Sequence, residues 1–115
     1  MRVGSVVIDC NDFEAMFAFW AAALRYEPRE EPEEDWVVLR DPTGEGVNVS
    51  LSKVPEPRVG KNRLHLDLYT TAPAAEIERL RGLGAVVTRT PGPGEDFTVL
   101  ADPEGNLFCV IDKGP

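Results

Sequence analysis

The sequence predicts an α+β fold, in which two βαβββ modules in one chain form a curved, eight-stranded mixed sheet with helices outside and a central groove. Three observations carry this prediction. First, the turn sequence DPTG at residues 41–44 recurs as DPEG at residues 102–105, an offset of 61. Second, segments rich in β-branched and aromatic residues flank both turns, as strands do. Third, each half of the chain opens with a strand that leads into a helix.

Length and composition are those of one domain with its own core. The chain has 115 residues, of which 43% are hydrophobic and 28% are charged, as is ordinary for a globular domain. We predict a single domain over residues 1–115, with module one at 1–52, a connector at 53–62 and module two at 63–115. No apolar run approaches the ~20 residues of a membrane span and no signal-peptide pattern is present, which predicts a cytoplasmic protein without a membrane partner.

The charge balance and the cysteine count argue against several classes of protein. The net charge is −8, from 20 acidic and 12 basic residues, whereas nucleic-acid-binding proteins present a basic face. Two cysteines are too few for a disulfide scaffold or a zinc ribbon. Alternation along the strands puts Cys10 on the helix side and Cys109 on the groove side, so we predict no disulfide between them.

Module one is predicted to begin with a strand at residues 3–9 and a helix at residues 12–24. Asn11 is the predicted N-cap, because Glu14 follows three residues later as in a capping box. The apolar residues of the helix recur with a period of 3.6: Phe13, Met16, Phe17, Trp20, Ala23 and Leu24. Further strands are predicted at residues 26–29, 36–39 and 47–51.

Module two repeats this order of elements. Its first strand, at residues 64–69, alternates cleanly, with His65, Asp67 and Tyr69 on the face opposite to three leucines. A helix at residues 73–83 follows, and we assign to it the N-cap Thr71 and the apolar stripe Ile77, Leu80 and Leu83. The remaining strands are predicted at residues 85–90, 97–100 and 107–111.

The groove is the predicted site of function. Each module covers one face of its sheet with a helix, so packing the modules side by side would line a cleft with the two uncovered faces, and such clefts are the usual sites for small molecules. Alternation puts Asp9 on this side of its strand. The apolar wall is predicted to consist of Trp36, Val38, Phe97 and Val99.

His65 is the only histidine in the chain, and histidine is suited to proton transfer near neutral pH. Asp67 follows on the same strand face, about 6–7 Å away by strand rise. The pair is predicted to be a catalytic base and its orienting carboxylate, and the alternative is a polar pair at the seam between the modules. Cys109 is predicted to be a small buried hydrophobe, because no cation nearby in sequence activates its thiol.

Four segments resemble the glyoxalase / bleomycin-resistance / extradiol-dioxygenase superfamily, also called vicinal oxygen chelate proteins, and within it the small bacterial glyoxalase-like domains. The resemblance covers nearly the whole chain and rests on FWAAAL at 19–24, NRLHLDL at 62–68, LRGLGA at 80–85 and DPEGNLFC at 102–109. It implies the fold predicted above. It also implies modules that pair within one chain or across a homodimer.

Enzymes of this superfamily hold one divalent metal at two positions on the opening strands and two on the closing strands of their modules. The resemblance carries these positions onto Ser5, His65, Asn48 and Cys109. Only His65 is of the usual ligand type, and serine and a neutral amide are weak ligands for such metals. We therefore predict no cofactor, with a divalent metal at His65 as the alternative.

Together, these features predict a protein that binds a small molecule in the groove without the usual metal set. The ligand-binding residues are expected to be Ser5, Asp9, Trp36, Asn48, His65, Tyr69, Phe97 and Cys109. Two alternatives stay open. The first is a metal-dependent lyase, isomerase or dioxygenase-type enzyme that acts on a small oxygen-containing substrate, with Asp67 or Asp9 as base. The second is a non-catalytic structural or interaction module.

Overall fold

The computed structural model describes residues 1–113, which form two compact units. Unit 1 is Met1–Arg58, and unit 2 begins at Val59. Unit 1 contains β1 (Val6–Cys10), α1 (Phe13–Leu24), β2 (Glu27–Pro28), β3 (Trp36–Arg40) and β4 (Val49–Lys53). Unit 2 contains β5 (Asp67–Thr70), α2 (Pro73–Leu83), β6 (Val86–Arg89), β7 (Phe97–Ala101) and β8 (Leu107–Asp112). Neither helix of residues 1–113 has the length and apolar character to cross a membrane.

Each unit forms a four-stranded mixed sheet. The strand order is β1-β4-β3-β2 in unit 1 and β5-β8-β7-β6 in unit 2. The opening and closing strands of each unit pair in parallel, and the other neighbours pair antiparallel. The predicted α+β class and its two βαβββ modules are confirmed. The expectation that both sheets line one groove within a single domain stays a prediction.

α1 packs on β3 and β4 through buried apolar side chains. Met16, Phe19 and Trp20 of the helix and Leu51 of the sheet are all buried. The predicted stripe omitted Phe19, which is buried, and contained Phe17 and Leu24, which are only half-buried. The sequence of α1, FEAMFAFWAAAL, is apolar nearly all round, so its periodicity does not show which flank meets the sheet.

The N-cap of α1 is Asp12, one residue later than predicted. Its carboxylate accepts a hydrogen bond from the backbone N–H of Ala15 at 3.1 Å. Asn11 instead donates its side-chain amide to the carbonyl oxygens of Val54 and Glu56. Aspartate and asparagine cap helices about equally well, so the choice depends on this longer-range contact.

The N-terminus of α2 also differs from the prediction. Ala72 is the N-cap and supplies no capping side chain, so the prediction of Thr71 was wrong. The hydroxyl of Thr70 accepts a hydrogen bond from the backbone N–H of Ala72 at 3.0 Å, so the N–H of the N-cap residue has a partner. Pro73 begins the helix as predicted, since its missing N–H costs nothing in the first turn. Leu83, in the last turn, is exposed.

All the predicted strands are present, with shifted ends. The opening strands begin later than predicted, at Val6 in β1 and at Asp67 in β5, so His65 lies just before β5. β4 begins at Val49 instead of residue 47. β2 is reduced to Glu27–Pro28 at the edge of its sheet, where a proline is tolerated.

The repeated turn has the same hydrogen bonds in both units. Gly44 donates its N–H to the carbonyl of Asp41, and Gly105 donates to Asp102, each at 2.9 Å. Both glycines have a positive φ, 77° and 87°, which glycine adopts without a steric penalty. Each aspartate side chain also accepts a backbone N–H two residues on, at 2.9 Å.

Asp41 is expected to make the stability of the protein sensitive to acid. Hydrogen bonds from the N–H and hydroxyl of Thr43, and from the N–H of Gly46, hold the pKa of the Asp41 carboxyl below its usual value. A carboxyl whose pKa is lowered by folding stabilises the protein above its ordinary pKa and loses this contribution as the pH falls through the folded value. We therefore expect Asp41→Asn to be less stable than the wild type near neutral pH, and the difference to shrink as the pH falls below the ordinary pKa of an aspartate, about 3.9.

Urea unfolding of both proteins at a series of pH values measures this difference. A stability difference that stays constant through the acidic range would contradict the role assigned to the Asp41 carboxylate.

Candidate functional site

The side of each sheet that faces away from its helix carries the predicted site residues, and we call it the open face of the unit. In β8, Phe108 and Val110 are buried, whereas Cys109 and Ile111, which alternate with them, are half-buried on the open face. β5 follows the same alternation, with Tyr69 exposed. Period-two alternation therefore separates the core face from the open face in unit 2, whereas the middle residues of β3 and β4 in unit 1 are buried on both faces.

Strand pairing arranges the open face of unit 2 in two rows. The first row consists of Asp67, Cys109 and Val99, from β5, β8 and β7. The second row consists of Tyr69, Ile111 and Phe97. Neighbouring strands lie about 4.7–4.9 Å apart, so side chains within a row can touch. The middle of this surface is apolar, and its polar groups lie at the β5 edge.

His65 and Asp67 contact each other at this edge. The His65 Nε2 atom lies 3.2 Å from the Asp67 Oδ1 atom, and the two side chains are 54% and 45% exposed. The sequence predicted that they share a face, and the two side chains bridge the distance along the strand. An exposed pair of this kind adds little to stability, so its interest lies in proton transfer and metal binding.

Cys109 joins this pair from the neighbouring strand. One ligand atom each from His65, Asp67 and Cys109 lie within 4.8 Å of one another. Within residues 1–113, this is the one group of three or more His, Cys, Asp or Glu side chains placed to hold a metal ion. The sequence does not indicate that the thiol lies beside the carboxylate, because strand register is set by long-range pairing.

The thiol of Cys109 is not activated in this setting. Burial raises its pKa, and the Asp67 carboxylate raises it further. Arg89 and Lys61 act in the opposite direction but do not offset these effects. Because the thiolate is the nucleophilic form of cysteine, Cys109 does not provide a nucleophile near neutral pH.

Two cations stack on the aromatic rings of the open face of unit 2. The Arg89 guanidinium carbon lies 5.1 Å from the ring centroid of Phe97, and the Lys113 Nζ atom lies 5.2 Å from that of Tyr69. Arg89 also forms an ion pair of 2.8 Å with Glu95. Contacts between cations and ring faces are favourable, so the second row carries a positive group at each end.

The open face of unit 1 has a corresponding row. Ser52 of β4 pairs with Asp9 on one side and with Trp36 on the other. Trp36 is half-buried and Asp9 is exposed. Trp36 and Phe97 are each the first residue of the third strand of their unit. Both open faces therefore present a half-buried aromatic ring, whereas Val38, which the predicted apolar wall also contained, is buried.

The closing strands show a correspondence that differs from the sequence assignment. Ser50 pairs with Val7 in unit 1 as Cys109 pairs with Asp67 in unit 2. The residue that corresponds to Cys109 is therefore Ser50, not Asn48. The connection between β3 and β4 is longer than that between β7 and β8. Because of this difference, equivalent residues of β4 and β8 are not separated by the 61 residues that separate the repeated turns.

The polar side chains on this part of unit 1 are engaged with each other and with the backbone. The Ser5 and Ser50 hydroxyls share a hydrogen bond, and the side-chain amide of Asn48 donates to the carbonyl of Gly4 at 3.2 Å. Neither Ser5 nor Asn48 offers an anionic group or an imidazole as a metal ligand. The four-position set implied by the family resemblance therefore does not fit a metal, because only His65 is of the family's usual ligand type and Cys109 adds a single thiol.

Three residues of the open faces were missed from the sequence: Ser50, Arg89 and Lys113. Period-two alternation would have placed Ser50 and Lys113 on the correct side of their strands. It would have placed Arg89 on the same side as Val87, whereas the irregularity of β6 between these two residues brings Arg89 opposite Val99. What was missing was the position of the strand ends and, for Ser50, the register of β4. No local sequence pattern predicts the contacts between the cations and the rings, since both contacts join residues on different strands or strand ends.

Comparison with known proteins agrees with this architecture. The glyoxalase-like domain family model matches residues 5–111, and no curated protein sequence matches the chain. A glyoxalase/bleomycin resistance protein/dioxygenase family enzyme from Burkholderia phytofirmans PsJN is similar in structure, with a TM-score of 0.80, 18% identity and coverage of 96% of this chain and 97% of that one. Protein ATC0852 from Agrobacterium tumefaciens has a TM-score of 0.80 at 15% identity, with 100% and 99% coverage.

A third similar structure contains ligands. It is a variant of the fosfomycin resistance protein FosX from Listeria monocytogenes, complexed with Mn(II) and 1S,2S-dihydroxypropylphosphonic acid, with a TM-score of 0.78, 14% identity and coverage of 98% of this chain and 90% of that one. At these identities the solved structures establish the fold alone, whereas the family model spans nearly the whole sequence. The chain belongs to the family of glyoxalase-like domains.

Proposed function

We propose that this glyoxalase-like protein binds a small organic molecule on the open faces of its sheets. The observation that carries the proposal is the open face of unit 2, where half-buried Cys109, Ile111 and Phe97 form an apolar surface bordered by polar and charged side chains. Binding sites for small molecules are typically apolar with a few placed polar groups. FosX, a protein of the same fold, is complexed with a small phosphonic acid, which supports the same class of ligand here.

The two rows of unit 2 suggest separate roles in binding. The apolar body of the ligand would pack on Phe97 and Ile111, because burying these half-exposed side chains removes apolar surface from water. His65, Asp67 and the Tyr69 hydroxyl would orient the polar end of the ligand from the β5 edge. A ligand that lacked a hydrogen-bonding group would leave these side chains without a new partner.

The open face of unit 1 would bind a small molecule through an aromatic ring and weaker polar contacts of its own. Trp36 offers the largest half-buried ring on its open face, and the exposed carboxylate of Asp9 lies in the same row. Ser5 and Asn48 already have hydrogen-bond partners within the unit. We therefore propose that Trp36 contributes more to affinity than either of them.

Catalysis, if the bound molecule reacts, would begin at His65. Its Nε2 atom is 3.2 Å from Asp67, the distance at which a carboxylate orients an imidazole for proton transfer. Cys109 would take no covalent part, because the pKa of its thiol is raised. The proposed roles are thus a base at His65 and a positioning carboxylate at Asp67.

A thermal-shift screen of the full chain tests the binding proposal. The library consists of small organic acids, alcohols and ketones, and a compound present at 100 times its Kd stabilises the protein by about 2.7 kcal/mol. We expect Phe97→Ala to lose the shift of hits that bind the open face of unit 2, and Trp36→Ala to lose the shift of hits that bind the open face of unit 1. Both variants should keep most of their own stability, because each ring is only half-buried.

Val59→Ala is the matched control, since Val59 is apolar but 85% exposed near the start of unit 2, outside its strands. This variant should keep the full shift. The binding proposal fails if no compound raises the melting temperature, or if the hits stabilise both ring variants as much as the wild type. Failure of either ring variant to fold would instead identify that ring as part of the core.

A metal-dependent lyase or isomerase is the second candidate function, and one observation favours it. His65, Asp67 and Cys109 bring nitrogen, oxygen and sulfur ligand atoms together, although the four positions of the family do not. Its substrate would be small and oxygen-containing. Metal analysis of the purified protein separates this candidate from a metal-free binder.

A further inference from the structure

We propose that unit 2 binds a second small molecule in a cleft bordered by α2, β6 and β7, which we call the α2 cleft. It lies on the helix side of the sheet, away from the open face. Its volume is about 850 Å³, within the roughly 300–1,000 Å³ of small-molecule sites. The ligand it fits is an uncharged, mainly apolar molecule that carries a hydroxyl group. The proposal does not depend on the function proposed for the open faces.

The α2 cleft exists because α2 covers only part of its sheet. The helix packs chiefly on β8, and β7 and β6 follow β8 toward the edge of the sheet. Among the residues of α2, all of which the structure describes, Leu80 alone is buried. By contrast, α1 buries five residues, which include Phe19 and Trp20. The smaller and charged side chains of α2 therefore leave the sheet beyond β8 uncovered.

The walls of the α2 cleft are largely apolar. Ile77 of α2 and Val87 of β6 line it and are half-buried. Ala85, between the helix and the strand, is 6% exposed, and Val86 beside it is 60% exposed. A ligand with an apolar body would remove this surface from water, which is favourable.

Thr98 supplies a polar group inside the α2 cleft. The residue is 7% exposed, and it alternates along β7 with Phe97 and Val99 of the open face. Its side-chain hydroxyl forms no hydrogen bond with any of residues 1–113. Because the fully buried side-chain polar atoms of these residues all have partners, this hydroxyl reaches the cleft that it lines. A nearly buried hydroxyl without a partner is unfavourable, so a ligand hydroxyl that bonds to it is selected.

The charged residues that line the α2 cleft balance each other. The Arg81 Nη1 atom lies 2.8 Å from the Glu78 Oε1 atom, and the two side chains are 56% and 71% exposed. A carboxylate ligand would have to compete with Glu78 for the guanidinium, and an amine would have to compete with Arg81 for the carboxylate. The cleft therefore favours a neutral ligand over an anion or a cation.

Gly82 offers a way to fill the α2 cleft from the helix. The residue lines the cleft, and within residues 1–113 a methyl group at this position would have no side chain within 4 Å other than those of its chain neighbours. We expect Gly82→Leu to raise the melting temperature, because glycine is a poor helix former. The leucine side chain would also occupy space that the ligand needs.

Titration of the full chain with phenol, toluene and benzoate, followed by methyl NMR, tests the proposal. The three probes share one ring and differ in the group that it carries. We expect phenol to shift the methyl resonances of Ile77 and Val87, and to leave those of Val99 and Ile111 on the open face unchanged. Benzoate should bind at least about tenfold more weakly than phenol, because the only charge it could meet is already paired with Glu78.

Thr98→Val removes the hydroxyl and keeps the shape of the side chain. We expect it to weaken the binding of phenol roughly 2- to 10-fold relative to that of toluene, the equivalent of one net hydrogen bond. The melting temperature should not fall, because the lost hydroxyl has no partner in the free protein. Thr71→Val is the matched control, since Thr71 is exposed before α2, and it should leave the ratio of the two affinities unchanged.

A second pair of variants tests the space of the α2 cleft. Gly82→Leu should abolish the binding of both phenol and toluene, whereas Gly82→Ala adds one methyl group and should keep it. Phenol binding that survives in Gly82→Leu at an unchanged affinity would overturn the proposal. If Gly82→Leu lowers the melting temperature instead of raising it, the ratio of affinities in Thr98→Val still decides.

Three other results would contradict the proposal. Shifts confined to Val99 and Ile111 would show that phenol binds the open face. Benzoate binding as tight as that of phenol would refute the neutral ligand class, and an unchanged ratio of affinities in Thr98→Val would refute the role of the hydroxyl. Because the methyl resonances report the two faces of the sheet separately, failure of this proposal and failure of the proposed function are distinguishable.

Discussion

Replacement of Phe108 by alanine is expected to lower the free energy of unfolding by about 3–5 kcal/mol, the usual cost of removing a buried aromatic side chain from a core. Phe108 is 1% exposed on the core face of β8. Its loss would leave a cavity beneath the strand that also carries Cys109. Urea unfolding followed by circular dichroism measures the effect.

Phe97→Ala is the matched comparison, because it removes the same side chain from the opposite face of the same sheet. Phe97 is half-buried, and we expect its loss to cost clearly less stability. Equal costs for the two substitutions would show that the open face of unit 2 is packed as tightly as the core, which would leave no apolar surface for a ligand.

Asp102→Ala is expected to cost about 2–4 kcal/mol, because unsatisfied buried donors are expensive. Asp102 is 3% exposed. Its carboxylate accepts hydrogen bonds from the backbone N–H groups of Glu104 and Asn106 at 2.9 and 3.0 Å, and from the Asn106 side-chain amide. Alanine cannot accept any of these bonds. Chemical denaturation of the purified variant measures the loss.

The repeat supplies a control for this substitution as well. Asp41 occupies the same place in the turn of unit 1, where its hydrogen bonds to Thr43 and Gly46 are exposed to solvent. Water can replace the carboxylate there, so Asp41→Ala should be the milder change. A loss at Asp41 as large as that at Asp102 would mean that the turn, rather than burial, determines the cost.

Much of the fold could be predicted because its signals are local. Turn residues, period-two strands and two segments with helical periodicity were enough to predict the doubled βαβββ order, and α2 has its predicted bounds. The errors arose where two local solutions are nearly equal in energy. Asp12 and Asn11 are both good caps, and Phe17 and Phe19 lie on two flanks of an almost wholly apolar helix.

The candidate site could be predicted only in part, because its geometry depends on pairing between distant segments. Alternation predicted that His65 and Asp67 lie on the same side of the chain, and their side chains do contact each other, although His65 precedes β5. The approach of Cys109 to Asp67 depends on the register of β5 with β8, which no local pattern encodes. The same limitation led to Asn48 instead of Ser50 as the counterpart of Cys109.

The unequal connections between the third and fourth strands of the units have an evolutionary consequence. Counted between the paired residues Leu39 and Val49, and Leu100 and Phe108, the connection of unit 1 is two residues longer. Because side chains alternate with a period of two, an even-numbered insertion keeps every core residue facing inward. An insertion far from a pocket can thus change which side chain lines that pocket, without any substitution inside the pocket. The same insertion leaves the hydrophobic interior intact.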